Sequence, residues 1–385
     1  MVMSSPGTLL VLSGVSCSNV FITVAMKIRL AVKLGFYFSV VVLFLGSCTG
    51  EQQGGGQQAT GEDSYVSLTF PSGSTVFELG QDVEVSLAFD STKTFTSFEL
   101  YVDSSRVHES ARPEGSHVVK TGGLTVGTHT ITCRVKSGDE CVDIDNLSLI
   151  LLSDVTPVKG SYEILGVIPH DTRAYTQGLI VEGGQMYEGT GMRGESTLRR
   201  VDMRSGEVLQ EIGIPEEHFG EGVTIVNDKI IQLTWQSNIG FVYDKKTFRK
   251  LKEFGYPTEG WGLTFDGRNL LLSDGSEQLM FLDTATYRII KRVQVYDNSG
   301  PISKINELEY VDGFVYANIY TTDFIVKIDP ATGKVVERWD MPGLLGDADR
   351  DQRTDVLNGI AYDGGSKHFY ITGKYWPKMF EMILK

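Results

Sequence analysis

Basic residues are in the minority in this chain. The 35 lysines and arginines are outnumbered by 49 aspartates and glutamates, which leaves a formal net charge of −14 at pH 7. Binding to a nucleic acid depends on basic patches that neutralise phosphates, and the sequence shows none. The composition therefore argues against a nucleic-acid partner, although it does not identify a substrate.

Several patterns that carry catalysis or ligand binding are also missing. Histidine is rare, with six residues in 385, and no pair has the spacing of metal ligands. His108, His117 and His129 are expected to be surface or packing residues. No glycine-rich phosphate loop stands between a strand and a helix, and no Ser-His-Asp arrangement stands out. These absences argue against a histidine-based zinc site, a phosphate loop and a serine hydrolase.

One acidic segment, "DADRDQRTD" at residues 347–355, resembles a calcium-binding loop because Asp347, Asp349 and Asp351 alternate in it. It lacks the glycine at the sixth position and the glutamate at the twelfth. A solvated acidic loop is the favoured interpretation, and a structural calcium site is the alternative. We expect no metal and no cofactor in the function of this protein.

A long apolar run lies near the N-terminus, in "MKIRLAVKLGFYFSVVVLFLGSC". It starts at Met26 with three basic residues and stops at small residues before Cys48, which is the order of a secretory signal. The ending "LGSC" resembles the lipobox of bacterial lipoproteins, whose cysteine is lipidated and becomes the first residue of the mature protein. An ordinary signal peptide or an uncleaved anchor is the alternative. We expect a lipid anchor on Cys48 in a bacterial membrane, at the periplasm or the cell surface.

Composition divides the chain around this signal. Residues 1–25 are expected to be an over-extended start, and residues 26–48 the signal peptide. Residues 49–64, "TGEQQGGGQQATGEDS", are nearly devoid of apolar side chains and predict a flexible linker. Residues 65–157 contain short alternating runs such as "DVEVSLAF" and "HTITCRV", which predict an immunoglobulin-like β-sandwich.

Two of the four cysteines lie in the predicted sandwich. Cys133 and Cys141 flank "RVKSGDE", a sequence typical of a hairpin turn, so their thiols could face each other across paired strands. Outside the cytoplasm a disulfide is plausible. We predict a disulfide between them, with two free cysteines as the alternative.

Residues 160–385 contain a repeat. Four segments share a strand, an aspartate, a turn and a second strand; the aspartates are Asp202, Asp244, Asp283 and Asp329, separated by 42, 39 and 46 residues. Five strand–turn–strand segments alternate with them. This period with four strands per unit indicates a β-propeller, and five inner hairpins predict five blades. "SYEILGVI" at the start and "KMFEMILK" at the end are expected to supply the missing strands and close the ring.

The five inner hairpins predict an axial pocket. Aligning their first strands places one residue of each at one mouth of the channel: Gln177, Glu221, Trp261, Asn306 and Asn358. The second strands end at or beside a second set: Thr190, Trp235, Asp274, Tyr320 and Lys374. The first set contains a single carboxylate, which stands between two glycines in "FGEGVT". We therefore expect this carboxylate to point into the shared cavity.

A carboxylate beside tryptophans would be partly desolvated, which raises its pKa towards the range useful for proton transfer. Asn306, Gln177 and Lys374 could polarise a carbonyl group or stabilise an oxyanion. The alternative is a polar channel that only binds ordered water. Spacing by itself leaves both interpretations open.

Motifs along the predicted propeller resemble the plant- and bacterial-type glutaminyl-peptide cyclotransferases, also called glutamine cyclotransferases. They are "HDTRAYTQGL", "FGEGVT", "NIGFVYD", "GWGLTFDG", "SDGS", "INELEYVDGFVYANIY" and "DVLNGIAYD…ITGKYWPKMFE", in family order between Tyr162 and Leu384. The resemblance implies a five-bladed β-propeller that converts N-terminal glutamine of peptides to pyroglutamate, with loss of ammonia and without a catalytic metal. It also implies an acyltransferase of the aminoacyl type. The sandwich and the signal lie outside it.

The same resemblance implies the site residues. The implied catalytic residues are Glu221, as general acid and base, Asn306 and Lys374. The implied substrate-binding residues are Tyr175, Gln177, Trp235, Trp261, Glu307 and Tyr320. Two positions differ from the family: its usual Phe is Tyr175 here, and the Trp of many plant members is Tyr320. We expect the change at Tyr320 to affect substrate preference more than activity.

Two functional classes remain. The first is an enzyme, expected to be a monomer, that acts on peptides or proteins with N-terminal glutamine. The second is a non-catalytic propeller at the cell surface that binds peptide or glycan in the same pocket. The joint presence of Glu221, Asn306 and Lys374 favours the enzyme.

Overall fold

The computed structural model describes residues 64–385. The signal peptide, Cys48 and the linker up to residue 63 lie outside the described residues. Within residues 64–385 the chain is all-β, with no α-helix and one 3-10 turn, Asp347–Asp349. None of the described elements is a helix long and apolar enough to span a membrane.

The N-terminal part consists of two sheets that share one hydrophobic core. Its strands are β1 (Val66–Thr69), β2 (Val76–Glu78), β3 (Asp82–Phe89), β4 (Ser97–Val102), β5 (Ser105–Ser110), β6 (Ser116–Lys120), β7 (Gly127–Ser137) and β8 (Glu140–Leu152). The strand orders are β1-β3-β6 and β2-β8-β7-β4-β5. Buried and exposed residues alternate along β3 and β7, so that one face of each sheet contributes to the core.

The predicted disulfide is wrong. Strands β7 and β8 form the expected hairpin, but Cys133 pairs with Asp145 and Cys141 with Lys136. The two cysteines are therefore three positions apart along the ladder, roughly 10 Å at the rise of a strand, beyond the reach of a disulfide. Cys133 is buried in the core, Cys141 is exposed, and both are free.

The C-terminal part consists of five antiparallel sheets of four strands, one of which gains a short parallel fifth strand. The strands are β9 (Val158–Lys159), β10 (Tyr162–Pro169), β11 (Thr176–Glu182), β12 (Gln185–Thr190), β13 (Thr197–Val201), β14 (Val208–Gly213), β15 (Gly220–Val226), β16 (Lys229–Thr234), β17 (Ile239–Asp244), β18 (Lys250–Gly255), β19 (Leu263–Phe265), β20 (Asn269–Leu272), β21 (Gln278–Asp283), β22 (Ile289–Gln294), β23 (Ile305–Val311), β24 (Phe314–Ile319), β25 (Phe324–Ile328), β26 (Val335–Asp340), β27 (Leu357–Asp363), β28 (His368–Gly373) and β29 (Lys378–Leu384). The strand orders are β11-β12-β13-β14, β15-β16-β17-β18, β19-β20-β21-β22, β23-β24-β25-β26-β9 and β10-β29-β28-β27.

The five sheets are arranged in a closed cycle. Their innermost strands contact one another in the order β11, β15, β19, β23, β27 and back to β11. Strand β10 pairs with β29 along its whole length, which confirms the predicted pairing of the two ends. Hydrophobic clusters fill the spaces between strands of neighbouring sheets. This arrangement brings the beginnings of all five inner strands to one axis.

The four repeated aspartates close turns between the third and fourth strands of their sheets. In each case one carboxylate oxygen accepts a hydrogen bond, 2.8 to 2.9 Å long, from a backbone N–H two or three residues further on. The four aspartates are Asp202, Asp244, Asp283 and Asp329. Aspartate is favoured in such turns because its short side chain satisfies the turn backbone. The repeated residue is therefore structural.

The N-terminal and C-terminal parts are in contact through residues at the end of β22 and directly before β26. Residues 64–385 fall within one compact unit. Tyr296 is buried in the core of the N-terminal part. Gln294 bridges the backbone N–H and C=O of Thr128, and Lys334 pairs with Asp154 at 2.6 Å. It stays a prediction that residues 157–160 separate two independent domains.

Candidate active site

The innermost strands carry the first set of site residues at their beginnings. Gln177, Glu221, Asn306 and Asn358 are each the second residue of their strand, and the pairing register shifts there in all four strands. Such bulges re-aim side chains and are common beside active sites. Trp261 lies two residues before β19. The strand starts therefore present these side chains at the shared axis.

Glycine follows Glu221 because adjacent inner strands approach too closely for a side chain. A Cβ atom on Gly222 would lie 2.5 Å from the Trp261 carbonyl oxygen, and one on Gly262 would lie 2.0 Å from the Asn306 carbonyl oxygen. The Gly222 N–H instead donates a hydrogen bond to Trp261 O at 2.7 Å. The "GEG" motif thus reflects contact between sheets at the axis.

A cavity opens where these strands begin. It is lined by Tyr175, Gln177, Phe219, Glu221, Trp235, Trp261, Asn306, Tyr320 and Lys374. Eight of the nine site residues implied by the sequence are therefore brought together. Phe219 was missed, although its place two residues before Glu221 in "FGEG" was the available signal.

Glu221 is the acid of this cavity. Its side chain is buried, and Oε1 accepts a hydrogen bond from Gln177 Nε2 at 3.1 Å. Burial raises the pKa of Glu221 well above its ordinary value; the Lys374 charge opposes this effect, and the Glu259 charge adds to it. Among the described residues no other hydrogen-bond donor contacts this carboxyl group, so Oε2 is available to a ligand.

The orientation of the Gln177 amide is set by Asn358. Asn358 Nδ2 donates to Gln177 Oε1 at 3.3 Å and to the Thr176 carbonyl oxygen at 2.9 Å. With its oxygen engaged, Gln177 must present Nε2 to Glu221. Asn358, which lies in the first predicted set but does not line the cavity, therefore acts on Glu221 through Gln177.

Lys374 brings a buried cation to the cavity. The Nζ atom lies 4.6 Å from the centre of the Tyr175 ring and 4.9 Å from that of Tyr320, within the range of cation–π attraction. Burial lowers the pKa of Lys374 to about 8, although the charges of Glu221 and Asp355 act in the opposite direction. The residue therefore changes its charge close to neutral pH.

Aromatic rings form most of the remaining wall. Phe219 packs edge-on against Tyr175 and Trp235, with ring centres 6.0 and 5.6 Å apart. Trp261 and Tyr320 make a similar contact at 5.5 Å. These rings cover apolar surface that would otherwise face water, and they give the cavity a shape suited to an aliphatic or planar group.

Besides Asn358, three predicted positions lie outside the cavity lining. Glu307 is buried, and its two carboxylate oxygens accept the N–H groups of Leu179 at 3.1 Å and Ile360 at 2.8 Å. Burial raises its pKa to about 8. Thr190 bonds to Thr197, and Asp274 accepts from Thr258. In this arrangement Glu307 joins inner strands and makes no contact with the cavity.

Two of the alternating aspartates in residues 347–355 are engaged by protein groups. Asp349 pairs with Lys378 at 2.5 Å, and Asp351 caps its own turn through Arg353 and Thr354. No group of three or more His, Cys, Asp or Glu side chains in residues 64–385 is arranged to hold a metal ion. Whether a calcium ion binds near Asp347 stays an open prediction.

Comparisons with known proteins agree with one another. The family model of glutamine cyclotransferases matches residues 146–384. A glutaminyl-peptide cyclotransferase of Arabidopsis thaliana is 37% identical over 230 residues, which is 58% of this chain and 71% of the relative. The crystal structure of Myxococcus xanthus glutaminyl cyclase superposes with a TM-score of 0.55 and 34% identity, covering 60% of this chain and 98% of that one. The chain belongs to the glutamine cyclotransferase family.

Proposed function

We propose that this protein is a glutaminyl-peptide cyclotransferase, an aminoacyl-type acyltransferase that needs no metal, with Glu221 as its general acid and base. The observation that carries the proposal is the placement of one buried carboxyl group, Glu221, beside a buried cation, Lys374, in an aromatic cavity. A second, neutral polar group, Gln177, holds the carboxyl group in place. Membership of the family supports the same activity.

The reaction needs no nucleophile from the protein. The α-amine nitrogen of the substrate attacks its own γ-carboxamide carbon; the new N–C bond closes the five-membered lactam, and the bond to the amide nitrogen breaks. One proton leaves the attacking amine and one reaches the departing ammonia, so atoms and charge balance without water. The protein must hold the side chain curled so that the reacting atoms meet.

Glu221 is suited to move that proton. Burial raises the pKa of Glu221, which makes the carboxylate a stronger base for the proton of the amine, and the acid so formed can return that proton to the leaving nitrogen. Gln177 covers one oxygen of the carboxyl group and leaves the other for the substrate. The same residue can therefore act in both steps.

Polar groups around the cavity stabilise the charge that develops on the amide oxygen. Lys374 supplies a cation, and the amides of Gln177 and Asn306 line the same space. Asn306 Oδ1 is buried without a hydrogen-bond partner among the described residues, so this oxygen can accept a hydrogen bond from an N–H group of the substrate, whereas a bond to the amide oxygen would have to come from Asn306 Nδ2. Preorganised groups of this kind lower the barrier because they do not reorganise during the reaction.

The finer architecture belongs to the same proposal. We infer that residues 160–385 are a five-bladed β-propeller and residues 65–157 an immunoglobulin-like sandwich. The sheet cycle and the shared core of two sheets support these assignments.

We also propose that Cys48 carries a lipid that anchors the monomer to a bacterial membrane, at the periplasm or the cell surface. This proposal rests on the sequence of residues 26–48.

The test is ammonia release from a short peptide that begins with glutamine, followed in a coupled assay, with the product checked for loss of one ammonia by mass spectrometry. A peptide of the same sequence that begins with asparagine is the control. Turnover only with the glutamine peptide supports the proposal. Saturable binding without turnover would instead support a non-catalytic propeller that binds peptide or glycan.

A further inference from the structure

Glu259 makes a contact that the sequence did not predict. Its Oε2 atom accepts hydrogen bonds from the indole N–H of Trp235 at 2.7 Å and from that of Trp261 at 3.0 Å. The other oxygen, Oε1, accepts from the Gln236 side chain at 3.3 Å. Glu259 is half-buried and is not part of the cavity lining. One carboxylate oxygen, which lies outside the cavity lining, therefore binds both indoles that form part of the cavity wall.

The two indoles belong to different sheets. Trp235 follows β16 in one sheet, and Trp261 precedes β19 in the next. Glu259 restrains the two rings relative to each other, because each indole has a single N–H donor and both donors point to the same oxygen.

This arrangement also decides what the indoles offer a ligand. Both N–H groups are already engaged by Glu259, so Trp235 and Trp261 present only ring surface to the cavity. Hydrogen bonds to a polar ligand then come from Gln177, Asn306, Lys374, Glu221 or the hydroxyl groups of Tyr175 and Tyr320, which also line the cavity.

We propose that Glu259 is a positioning residue that locks Trp235 and Trp261 as the apolar walls of the glutaminyl pocket and places a negative charge behind them. This proposal rests on the proposed cyclotransferase function. The charge has a consequence for the reaction, since Glu259 raises the pKa of Glu221 in addition to the effect of burial.

The groups around Glu221 define what a pH experiment reports. Lys374 and Glu259 are the charged groups that act on it, in opposite directions. Tyr175 and Tyr256 also face it, and burial raises the pKa of both, so they stay neutral over the range of interest. Removing the Glu259 charge therefore lowers the pKa of Glu221.

The first experiment needs no substrate. Acrylamide quenching of tryptophan fluorescence is compared in the wild type, Glu259→Ala, Glu259→Gln and the control Glu216→Gln, which removes an exposed glutamate of the loop before Phe219. The other two tryptophans, Trp339 and Trp376, are 1% exposed, so a change reports on the site indoles. We expect clearly increased quenching in Glu259→Ala, a smaller increase in Glu259→Gln, and none in the control. Unchanged quenching in Glu259→Ala would overturn the proposal whether or not the protein turns over peptide.

The second experiment is steady-state kinetics on the glutamine peptide. We expect kcat/KM to fall by about 10- to 100-fold in Glu259→Ala, the usual effect of a misplaced binding wall. In Glu259→Gln the acid limb of kcat/KM should move to lower pH. The positioning role would be overturned if kcat/KM stayed within twofold of the wild type in both variants and the acid limb did not move. Absence of turnover in the wild type would count against the proposed function alone, because quenching still decides the role of Glu259.

Discussion

His170 and Glu188 form a buried ion pair, with Nε2 and Oε1 2.9 Å apart and side chains only 4% and 2% exposed. His170 Nδ1 lies 2.7 Å from the Trp376 carbonyl oxygen, and the Thr176 hydroxyl donates to the same Glu188 oxygen at 2.7 Å. Trp376 follows Lys374 by two residues, and Thr176 directly precedes Gln177. The pair therefore ties together the two chain segments that carry these site residues.

Breaking this pair is expected to destabilise the fold. Glu188→Ala leaves a buried histidine without its partner, and we expect the free energy of unfolding to fall by about 3–5 kcal/mol. The measurement is urea unfolding followed by circular dichroism. Glu163→Ala is the control, since Glu163 and Lys385 form an exposed pair, and such surface pairs contribute little to stability. Equal effects of the two substitutions would contradict the prediction.

The same pair predicts a pH dependence of stability. Burial disfavours the charged imidazole, but the Glu188 charge and hydrogen bonds outweigh it, and the pKa of His170 is raised. A raised folded-state pKa gives stability that is fully present below about pH 6.5, the unfolded value, and lost as the pH rises through the folded value. We expect the unfolding free energy of the wild type to decline over that range and that of Glu188→Ala to decline less. Parallel pH curves would assign the effect to other groups.

Glu221→Gln keeps the shape of the side chain and loses the base. We expect kcat to drop by about 10² to 10⁴, the usual worth of a positioned acid–base group, with a much smaller change in KM. The assay is steady-state ammonia release, with circular dichroism as the fold control. A folded variant with near-normal kcat would remove Glu221 from the mechanism.

Lys374 is expected to set the basic limb of the reaction. Its pKa is lowered to about 8, so the cation is present below that pH and lost above it. We expect kcat to decline above about pH 8 in the wild type. Lys374→Arg keeps its charge throughout and should move this limb to higher pH, whereas Lys374→Met should lower kcat at every pH. An unchanged limb in Lys374→Arg would show that another group titrates there.

Trp261→Ala is expected to weaken substrate binding. Loss of the indole removes apolar contact worth on the order of 1–3 kcal/mol, which should be seen as a higher KM. Near-ultraviolet and far-ultraviolet circular dichroism separate this effect from unfolding. A variant with normal KM and a large loss of kcat would show that the indole acts on the transition state instead.

The N-terminal part is expected to stabilise the protein without contributing to the site. A truncated protein that begins at Pro157 retains β9 and all nine cavity residues. It exposes Tyr296 and loses the pair of Lys334 with Asp154. We expect normal kcat/KM and a lower Tm, measured by ammonia release and thermal unfolding. A soluble, folded and inactive truncated protein would show that the N-terminal part shapes the site.

Much of the fold and most of the cavity could be predicted from the sequence because the pattern is local. Each inner hairpin has its own strand, turn and strand, and repetition of that unit aligns Gln177, Glu221, Asn306 and Asn358 without knowledge of any distance. The pairing of β10 with β29 could also be predicted. The fifth repeat is divided between the start and the end of residues 160–385, so the strands at these two ends must pair to complete its sheet.

Tertiary structure decided what depends on contacts between sheets and on register. Cys133 and Cys141 flank a true hairpin, yet their positions along the ladder keep them apart. Glu307 belongs to the same motif as Asn306, but side chains alternate in direction along β23. The Glu307 carboxylate therefore binds the backbone of other strands and does not reach the cavity. Glu259 meets two indoles only because neighbouring sheets bring them together. Residue type and repeat period are properties of the sequence, whereas burial, shared acceptors and the resulting pKa values exist only once distant strands have packed.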